Sequence, residues 1–551
     1  MKLTELKKSA TVLSLAALAA CGGGGGGMGQ LIPSSPAGRE QPNSILTKIV
    51  GVGDSLTAGF QSDAFLGETG IQNPFYHIRH QIPPSQENGW WALLDEQASG
   101  LPLDSAIAKM YDPSTSPLPL IEGPGLGNML VSYTPFSFPF NPLITGDTCS
   151  ANNGFNAAGY RLKDVARVRM DPKATIIRDV GIPGLTLHEA VALHQPQTST
   201  CKFLPGIPGL INQVVAQESG TFWPVLENFT YLGPYLTDVN AAASRHPTLA
   251  TVWLGANDVL KYMGSGGRFV GGDRNSAQAA SDIRQAVGTL QHAGARVVVA
   301  NLPNVLETGY FQRISIPRHS SDCRLATYAY CTMSIALGPS SAGFAISEAA
   351  TKFHLATPGG CIPASVTKPC GYLTLAAIAL IIPYYNSTGH VPNLDCNVPA
   401  PGCKGKLGNG LGPYYITPEF AAKIQTLNDA INDGIDDAAT SSHVPLVDIQ
   451  AIFAGLASGN PSNPYFHAAA SINPPLCCTL GFLWGILSFD GLHPSNTGYA
   501  LIASDFIKTI NRAYGTHIPD VDVKAVYNGT RCSTRKFCFP DPYAPPHDYP
   551  Y

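Results

Sequence analysis

Three residues of this chain have the chemistry needed to make a hydroxyl group reactive. Ser55 stands in the sequence Gly-Asp-Ser-Leu (53–56), directly after the apolar run Ile-Val-Gly-Val (49–52). A serine hydroxyl is a weak nucleophile until a base removes its proton, and histidine is the usual base. Near the other end of the chain, Asp490 and His493 are close enough for one short loop to supply that base and the carboxylate that orients it. Alternatively, Asp490 forms an ordinary turn and His493 is a surface residue.

Two further segments could stabilise the negative charge that develops on a carbonyl oxygen under attack. Such an oxyanion needs hydrogen-bond donors that are fixed before the reaction. Gly184, in the sequence Gly-Ile-Pro-Gly (181–184), lets a backbone N–H approach a substrate closely because glycine has no Cβ. Asn257, in Gly-Ala-Asn-Asp (255–258), can present its side-chain amide. Each could instead be an ordinary turn residue, and Gly181 is an alternative to Gly184.

Alternating strands and helices would bring these segments to one edge of a sheet. Apolar runs predict strands at 47–52, 174–180, 249–254, 296–301 and 446–449. Capped or periodic segments predict helices at 89–99, 186–194, 236–245, 277–292 and 417–439, and a last helix after Ser495. This alternation predicts an α/β fold with a doubly wound parallel sheet sandwiched by helices. Ligands bind outside the carboxyl ends of the strands in such sheets, which is where Ser55, Gly184 and Asn257 would lie.

Three of the predicted helices begin with a recognisable signal. Thr186 and Glu189 have the spacing of a capping box, in which each residue bonds to the backbone N–H of the other. Pro418 follows Thr417 and would occupy the first helical position, where its missing N–H is not needed. Ser495 would cap the last helix.

Taken in chain order, these sequences resemble the motifs of the SGNH hydrolases, which are also called the GDSL family. The matching segments are Gly-Asp-Ser-Leu (53–56), Ile-Pro-Gly (182–184), Gly-Ala-Asn-Asp (255–258) and Asp-Gly-Leu-His-Pro (490–494). The strand and proline at 297–303 also look like the segment that follows the third motif in that family. The resemblance implies a flavodoxin-like fold. Ala256 stands where the family often has glycine, and this change leaves Asn257 in place.

The resemblance also implies a role for each residue. Ser55 would be the nucleophile, His493 the base and Asp490 the group that orients His493. The backbone N–H groups of Ser55 and Gly184 and the side chain of Asn257 would form the oxyanion hole. The implied activity is that of a serine ester hydrolase of the esterase or lipase type, which forms an acyl-enzyme and needs no cofactor. The alternative is a catalytically inactive surface-binding lipoprotein on the same scaffold.

The composition and two incomplete motifs argue against nucleic-acid binding, dinucleotide binding and a Gly-x-Ser-x-Gly nucleophile elbow. A net charge of −4, with only 13% charged residues, gives no reason to expect nucleic acid as a partner. The third glycine position of a dinucleotide-binding fingerprint holds Leu56, and the last position of a Gly-x-Ser-x-Gly elbow holds Thr57. The expected substrate is a small-molecule, lipid or carbohydrate ester. Lipid esters, acetylated sugars and thioesters all stay open, and the oligomeric state is not visible in the sequence.

The N-terminus predicts export and a lipid anchor. Residues 1–20 combine an early cluster of lysines with a short apolar stretch that ends at Cys21. This segment resembles a bacterial lipoprotein signal, which implies a lipidated Cys21; the alternative is an ordinary cleaved signal with an incidental cysteine. Residues 21–44 would form a glycine-rich linker. Because Gly22 is not aspartate, the resemblance favours the outer membrane, with the protein on the periplasmic or the surface-exposed side of the cell envelope.

A single hydrolase domain is predicted at 45–515, with a Pro- and Tyr-rich tail at 516–551. A minimal α/β unit of this kind needs roughly 200 residues, so the surplus predicts insertions at about 61–170 and 305–415. The apolar run Tyr372–Ile382 is shorter than the ~20 residues that cross a bilayer. It is expected to be a buried helix or strand, and the alternative is a lid that touches lipid.

The cysteines support an oxidising compartment. There are 13, and 12 remain after Cys21 is set aside, an even number that suits disulfides. Candidate pairs are Cys323 with Cys331, Cys361 with Cys370, Cys396 with Cys403, Cys532 with Cys538 and the more distant Cys149 with Cys201, while Cys477 and Cys478 are adjacent. Many lie in the predicted insertions, which are therefore expected to be loops stapled by disulfides. Their spacing is not that of a zinc finger, and no metal is expected.

Overall fold

A five-stranded parallel sheet forms the core of the structure. The computed structural model describes residues 42–61, 85–100, 117–118, 176–193, 225–233, 235–264, 266–267, 275–315, 328–355, 371–394, 414–457, 486–488 and 491–530. The strands among them are β1 (Ile49–Gly53), β2 (Asp179–Gly181), β3 (Leu249–Trp253), β4 (Arg296–Ala300), β5 (Phe311–Arg313), β6 (Tyr372–Thr374), β7 (Tyr415–Ile416) and β8 (Leu446–Val447). The sheet has the order β2-β1-β3-β4-β8, and each neighbouring pair is parallel. The predicted α/β class is confirmed.

The central strands are covered on both faces, as their composition requires. Every residue of β1 and β3 is buried. Neither strand alternates apolar with polar residues, a pattern typical of parallel strands that helices cover on both sides. Gly51 of β1 lies level with Asp179 of β2 on one side and with Thr251 of β3 on the other. The chain therefore changes direction at β1, and ligands of doubly wound sheets bind at this kind of switch point.

The described residues include helices on both faces of the parallel sheet and helices of the insertion. They are α1 (Trp90–Ser99), α2 (Leu187–Val191), α3 (Asp238–Ala243), α4 (Ala256–Gly264), α5 (Ser276–His292), α6 (Ala329–Leu337), α7 (Pro339–Lys352), α8 (Leu375–Thr388), α9 (Pro418–Ser441), α10 (Ile449–Ala457), α11 (Asn496–Tyr514) and α12 (Val523–Asn528). Helix α1 packs against α11, whereas α5 packs against α2, α3 and α9. Right-handed crossovers explain why helices lie on both faces, because the chain moves one way from β1 to β2 and the other way from β2 onward.

The predicted helix starts are confirmed at atomic detail. The side-chain oxygen of Thr186 accepts from the Glu189 N–H, and the Glu189 carboxylate accepts from the Thr186 N–H at 2.9 Å, which completes the capping box. Helix α9 begins at Pro418. The Ser495 hydroxyl accepts the N–H of Gly498 at 3.1 Å and caps α11. Helix α2 ends at Val191, earlier than expected, because the backbone of the next residue is extended.

Part of the predicted insertion at 305–415 forms a second, antiparallel sheet that the sequence did not predict. Strands β5, β6 and β7 pair in that order. The run Tyr372–Ile382 divides into β6 and the first turns of α8, so it is a buried strand followed by a helix. None of the helices within the described residues has the length and apolar character needed to span a membrane.

The small sheet lies between two apolar clusters. Phe311 of β5 and Tyr372 of β6 pack into the main core around the parallel sheet. Leu373 of β6 instead packs into a second cluster with residues of α6, α7 and α8, among them Met333 and Ile346. The described part of the insertion is therefore a body with a core of its own, and the sheet joins that body to the main domain.

Three glycines allow the backbone around Ser55 to pack tightly. A Cβ on Gly51 would lie 2.5 Å from the indole ring of Trp91. A Cβ on Gly181 would lie 2.5 Å from the backbone nitrogen of Ala58, in the turn that follows Ser55. Gly53 pairs with Gly181 in the sheet. Strand β2 can therefore pack directly on the backbone of that turn.

The described part of the predicted tail packs on the domain. Ile518, Val521 and Val526 are buried in the main core, and α12 contacts α11. The described residues from Pro42 onward belong to one compact unit. The predicted signal segment, Cys21 and every cysteine except Cys331 lie outside the described residues, so the lipid anchor and the disulfide pairs stay predictions.

We predict that Gly181→Ala destabilises the fold, because the new Cβ would meet backbone that cannot move aside as a side chain can. Overpacking of this kind lowers the free energy of unfolding by about 1–3 kcal/mol. Gly288→Ala in α5 is the matched control, since a Cβ there meets nothing within 4 Å. Urea denaturation measures both variants. Equal unfolding free energies for Gly181→Ala and the wild type would contradict the close packing of β2 on the Ser55 turn.

Candidate active site

Ser55 and His493 are hydrogen-bonded to each other. The Oγ of Ser55 lies 2.9 Å from the Nε2 of His493, although 438 residues separate them in the chain. Both side chains are nearly enclosed, with 5% of Ser55 and 8% of His493 exposed. At this distance an imidazole nitrogen can take the proton of a hydroxyl group. The structure thus brings together two of the residues that the sequence singles out.

The turn that holds Ser55 begins where β1 ends. After Gly53 the chain enters helical turns, in which the N–H of Ala58 donates to the carbonyl of Asp54 at 3.0 Å. The Oδ1 of Asp54 accepts the N–H of Leu56 at 2.9 Å. Aspartate commonly fixes a turn by bonding to a backbone N–H two residues later. Ser55 is therefore held between a strand end and a bonded turn at the carboxyl edge of the sheet.

His493 lies in a loop that is closed by hydrogen bonds between its own backbone groups. The N–H of Ser488 donates to the carbonyl of His493 at 2.8 Å, and the N–H of Ser495 donates to the carbonyl of Ile486 at 3.0 Å. The ring of Phe60 packs against the imidazole with a centroid distance of 5.0 Å. The loop then passes directly into the capped helix α11. These contacts restrict the position of the imidazole.

Two polar contacts join the chain after Ser55 to the helix after His493. The Nε2 of Gln61 donates to the Oδ1 of Asn496 at 2.7 Å. The hydroxyl of Tyr499 donates to the carbonyl of Phe60 at 2.6 Å. Each contact spans more than 400 residues of sequence. They fix the two segments of the candidate site to each other independently of the Ser55–His493 bond.

Gly184 lies in the turn between β2 and α2. Its φ is +83°, in the left-handed region that glycine enters without strain. The N–H of Leu187, just beyond the turn, donates to the Oδ2 of Asp258 at 3.0 Å. Gly181 lies inside β2, where its N–H donates to the side chain of Asp179 at 3.1 Å. The N–H of Gly181 is thus engaged, which favours Gly184 over Gly181 as the donor to a substrate.

Asn257 stands at the start of α4 and links both neighbouring strand ends. Its Nδ2 donates to the Oδ2 of Asp54 at 3.0 Å and to the carbonyl of Leu185 at 3.1 Å. The side chain is only 3% exposed. Both amide hydrogens therefore already have acceptors within the protein. An oxyanion must therefore share one of these amide hydrogens with its present acceptor, or replace that acceptor. The sequence did not indicate this constraint.

Asp54 belongs to the Gly-Asp-Ser-Leu motif, but the sequence did not predict a role for it in the site. It is 1% exposed and contacts both Leu56 and Asn257. Burial raises the pKa of its carboxyl to about 7, against the lowering effects of the Leu56 N–H, the nearby His493 and Asn257. Asp54 therefore changes charge in the pH range where histidine does. Its place next to Ser55 was the only sequence signal.

A salt bridge joins helix α2, which follows Gly184, to helix α4, which contains Asn257. The Nζ of Lys261 on α4 lies 2.8 Å from the carboxylate of Glu189 on α2. Burial alone would raise the pKa of Glu189, but Lys261 and Thr186 outweigh it and lower that pKa. The two segments that carry the candidate oxyanion donors are therefore held together by a salt bridge as well as by Asn257. No sequence signal pointed to this pair.

Asp490 lies outside the described residues, so the group that orients His493 stays a prediction. Its neighbours in the loop are described on both sides, at Ser488 and Gly491.

Within the part of the chain that the structure describes, no group of three or more His, Cys, Asp or Glu side chains could hold a metal ion.

We predict that the carboxyl of Asp54 titrates near pH 7 in the folded protein. The infrared band of a protonated carboxyl should disappear as the pH rises from 6 to 8, and Asp54→Asn should remove that change. Because the folded pKa is raised above the ordinary value, this group's contribution to stability is present at about pH 4 and is lost as the pH rises toward 7. An Asp54 band that titrates near pH 4 would contradict the burial of this charge.

Comparison with known proteins does not assign the chain to a family. None of the models of known protein families matches it, and searches of curated proteins and of solved structures found no significant match. The chemistry of the site therefore has to be inferred from its own residues.

Proposed function

We propose that the protein is a serine ester hydrolase that works through an acyl-enzyme. The single observation that carries this proposal is the 2.9 Å contact between the Ser55 hydroxyl and the His493 imidazole. Serine next to histidine is an activated nucleophile, and acyl transfer is the reaction that such a pair performs. The resemblance of the four motifs to those of SGNH hydrolases supports the same reaction.

In the first half-reaction, the Oγ of Ser55 attacks the ester carbonyl carbon while its proton passes to the Nε2 of His493. The tetrahedral intermediate collapses, the bond to the alcohol oxygen breaks, and His493 returns the proton to that leaving oxygen. In the second half-reaction, His493 takes a proton from water, which attacks the acyl carbon. The acid then leaves and the proton returns to Ser55. Asp490 would orient His493 throughout.

The donors for the oxyanion surround the end of β1. They are the backbone N–H groups of Ser55 and Gly184 and the side chain of Asn257. The backbone donors belong to turns fixed by the bonds of Asp54 and Asp258. Asn257 would share the amide hydrogen that faces the Leu185 carbonyl with the oxyanion and keep its bond to Asp54. Its contribution would then be larger in the transition state than in the free enzyme, as catalysis requires.

The proposed setting is the cell envelope, with the domain tethered through a lipid on Cys21. This part of the proposal is supported by residues 1–44 alone. The ester substrate would be a lipid, a carbohydrate ester or another small molecule.

Replacing Ser55 tests the proposed nucleophile. A fluorophosphonate probe should label the wild-type protein at Ser55, and Ser55→Ala should lose both labelling and hydrolysis of p-nitrophenyl butyrate while its melting temperature is kept. Ser504→Ala is the control, because Ser504 is also a buried serine, on α11, and 4% exposed. Intact mass spectrometry reads the adduct. A folded wild-type protein that takes up no probe would favour the inactive binding lipoprotein.

Replacing Asn257 tests the oxyanion hole. Asn257→Ala should lower kcat by about 10²–10³-fold with little change in KM, because the lost bond forms mainly in the transition state. Asn428→Ala removes another buried amide, on α9, and serves as the control. Steady-state hydrolysis of a p-nitrophenyl ester series measures both, with melting curves to show that they fold. An unchanged kcat in Asn257→Ala would remove this residue from the site.

A further inference from the structure

The loop that carries His493 contacts the insertion at Gly491. Gly491 has a φ of +71°, and a Cβ on it would lie 2.7 Å from the backbone nitrogen of Tyr310 and 2.9 Å from the carbonyl carbon of Gly309. Such distances leave no space for a side chain. The backbone two residues before the proposed base therefore packs directly on the backbone of the insertion.

Tyr310 is bonded on both sides, to the loop and to the insertion. Its N–H donates to the carbonyl of Gly491 at 3.0 Å, and its carbonyl accepts the N–H of Leu375 at 3.0 Å. Leu375 is the first residue of α8, with Thr374 as the N-cap. Tyr310 itself is 3% exposed. A continuous run of backbone hydrogen bonds thus leads from helix α8 to the loop of the proposed base.

Movement of Gly491 would be transmitted to His493 because the loop is short and internally bonded. The N–H of Gly491 donates to the carbonyl of Ser488 at 2.9 Å, and the N–H of Ser488 donates to the carbonyl of His493 at 2.8 Å. These two bonds link the backbone of Gly491 to that of His493 through Ser488. The insertion side is equally fixed, since Leu375 packs into the main core and Ile378 of the same helix packs into the second cluster.

We propose that Tyr310 and Gly491 form a brace through which the insertion positions His493 against Ser55. Tyr310 and Gly491 act as positioning residues and do not touch the substrate. The inference rests on the proposed hydrolase function and adds a specific role for the insertion: its docking sets the turnover of the Ser55–His493 pair. Loss of the brace would displace the imidazole, and a misplacement of about 1 Å can lower a rate by about 10²-fold.

The first test compares two glycines that both have a positive φ, +71° at Gly491 and +66° at Gly515. Gly491→Ala adds a Cβ that clashes with Tyr310, whereas Gly515→Ala, at a φ of +66°, adds one that meets nothing within 4 Å. Both variants carry the strain of a left-handed alanine, so the difference between them reports the contact with the insertion. We expect kcat for a p-nitrophenyl ester to fall about 10²-fold in Gly491→Ala, with KM unchanged, and to stay near the wild-type value in Gly515→Ala.

The second test removes one hydrogen bond without substituting a loop residue, and it applies even if Gly491→Ala does not fold. The Leu375 side chain lies near Gly491, with its Cδ1 3.1 Å from where a Cβ on Gly491 would stand, so the comparison needs a variant that loses this contact but keeps the N–H. Leu375→Pro deletes the N–H that Tyr310 accepts, and proline suits the first position of a helix. Thr374 is already extended, with a ψ of 159°, as a residue before proline must be. Leu375→Ala loses the same side-chain packing but keeps the N–H. We expect a lower kcat in Leu375→Pro than in Leu375→Ala.

The outcomes separate the brace from the proposed function. If the wild-type protein hydrolyses the ester and binds a fluorophosphonate at Ser55, the hydrolase stands. Equal kcat values within the Gly491→Ala and Gly515→Ala pair, or within the Leu375 pair, would then overturn the brace alone. If the wild-type protein neither hydrolyses the ester nor binds the probe, the proposed hydrolase function is rejected. The proposed brace, which rests on that function, is then rejected as well.

Discussion

The rest of the candidate site depends on one constraint of parallel sheets, that the carboxyl ends of neighbouring strands meet at one edge. Strands β1, β2 and β3 are adjacent and in register, so the turns that follow them are neighbours however long the chain between them is. This places Asn257 against Asp54 and Leu185, which are the sequence neighbours of Ser55 and Gly184. His493 comes from beyond the last strand and reaches the same edge because helix α11 is fixed to the Ser55 turn through Tyr499.

The site places a buried charge next to the proposed nucleophile. Burying a carboxylate is unfavourable unless hydrogen bonds compensate. Asp54 accepts bonds from Leu56 and Asn257, yet burial still raises its pKa to about 7. The ionised carboxylate therefore destabilises the fold at neutral pH. Its hydrogen bond with the Nδ2 of Asn257 fixes that side chain before any substrate binds. Functional sites commonly hold groups whose pKa is shifted by burial and by a specific partner.

Strands β1, β3 and β4 could be predicted because their sequences are mostly apolar, and capped helices such as those after Thr186 and Ser495 have local signals. Of the strand predicted at 174–180, the structure describes 176–180, and only Asp179 and Val180 lie in β2. Strands β5, β6 and β7 have two or three residues each, too few to show a period, and their pairing joins distant segments. The bond between Asp54 and Asn257 spans 203 residues. Nothing local to either residue indicates such a partner, so only the fold reveals that Asn257 is already engaged.

The most direct measurement of the central claim is a crystal structure of the protein after reaction with a fluorophosphonate. A bond from phosphorus to the Oγ of Ser55 should be present, with the phosphoryl oxygen within hydrogen-bond distance of the N–H groups of Ser55 and Gly184 and of the Nδ2 of Asn257. The imidazole of His493 should remain next to the Ser55 oxygen. An unmodified Ser55, or an adduct whose phosphoryl oxygen faces away from these three donors, would contradict the proposed acyl-transfer site.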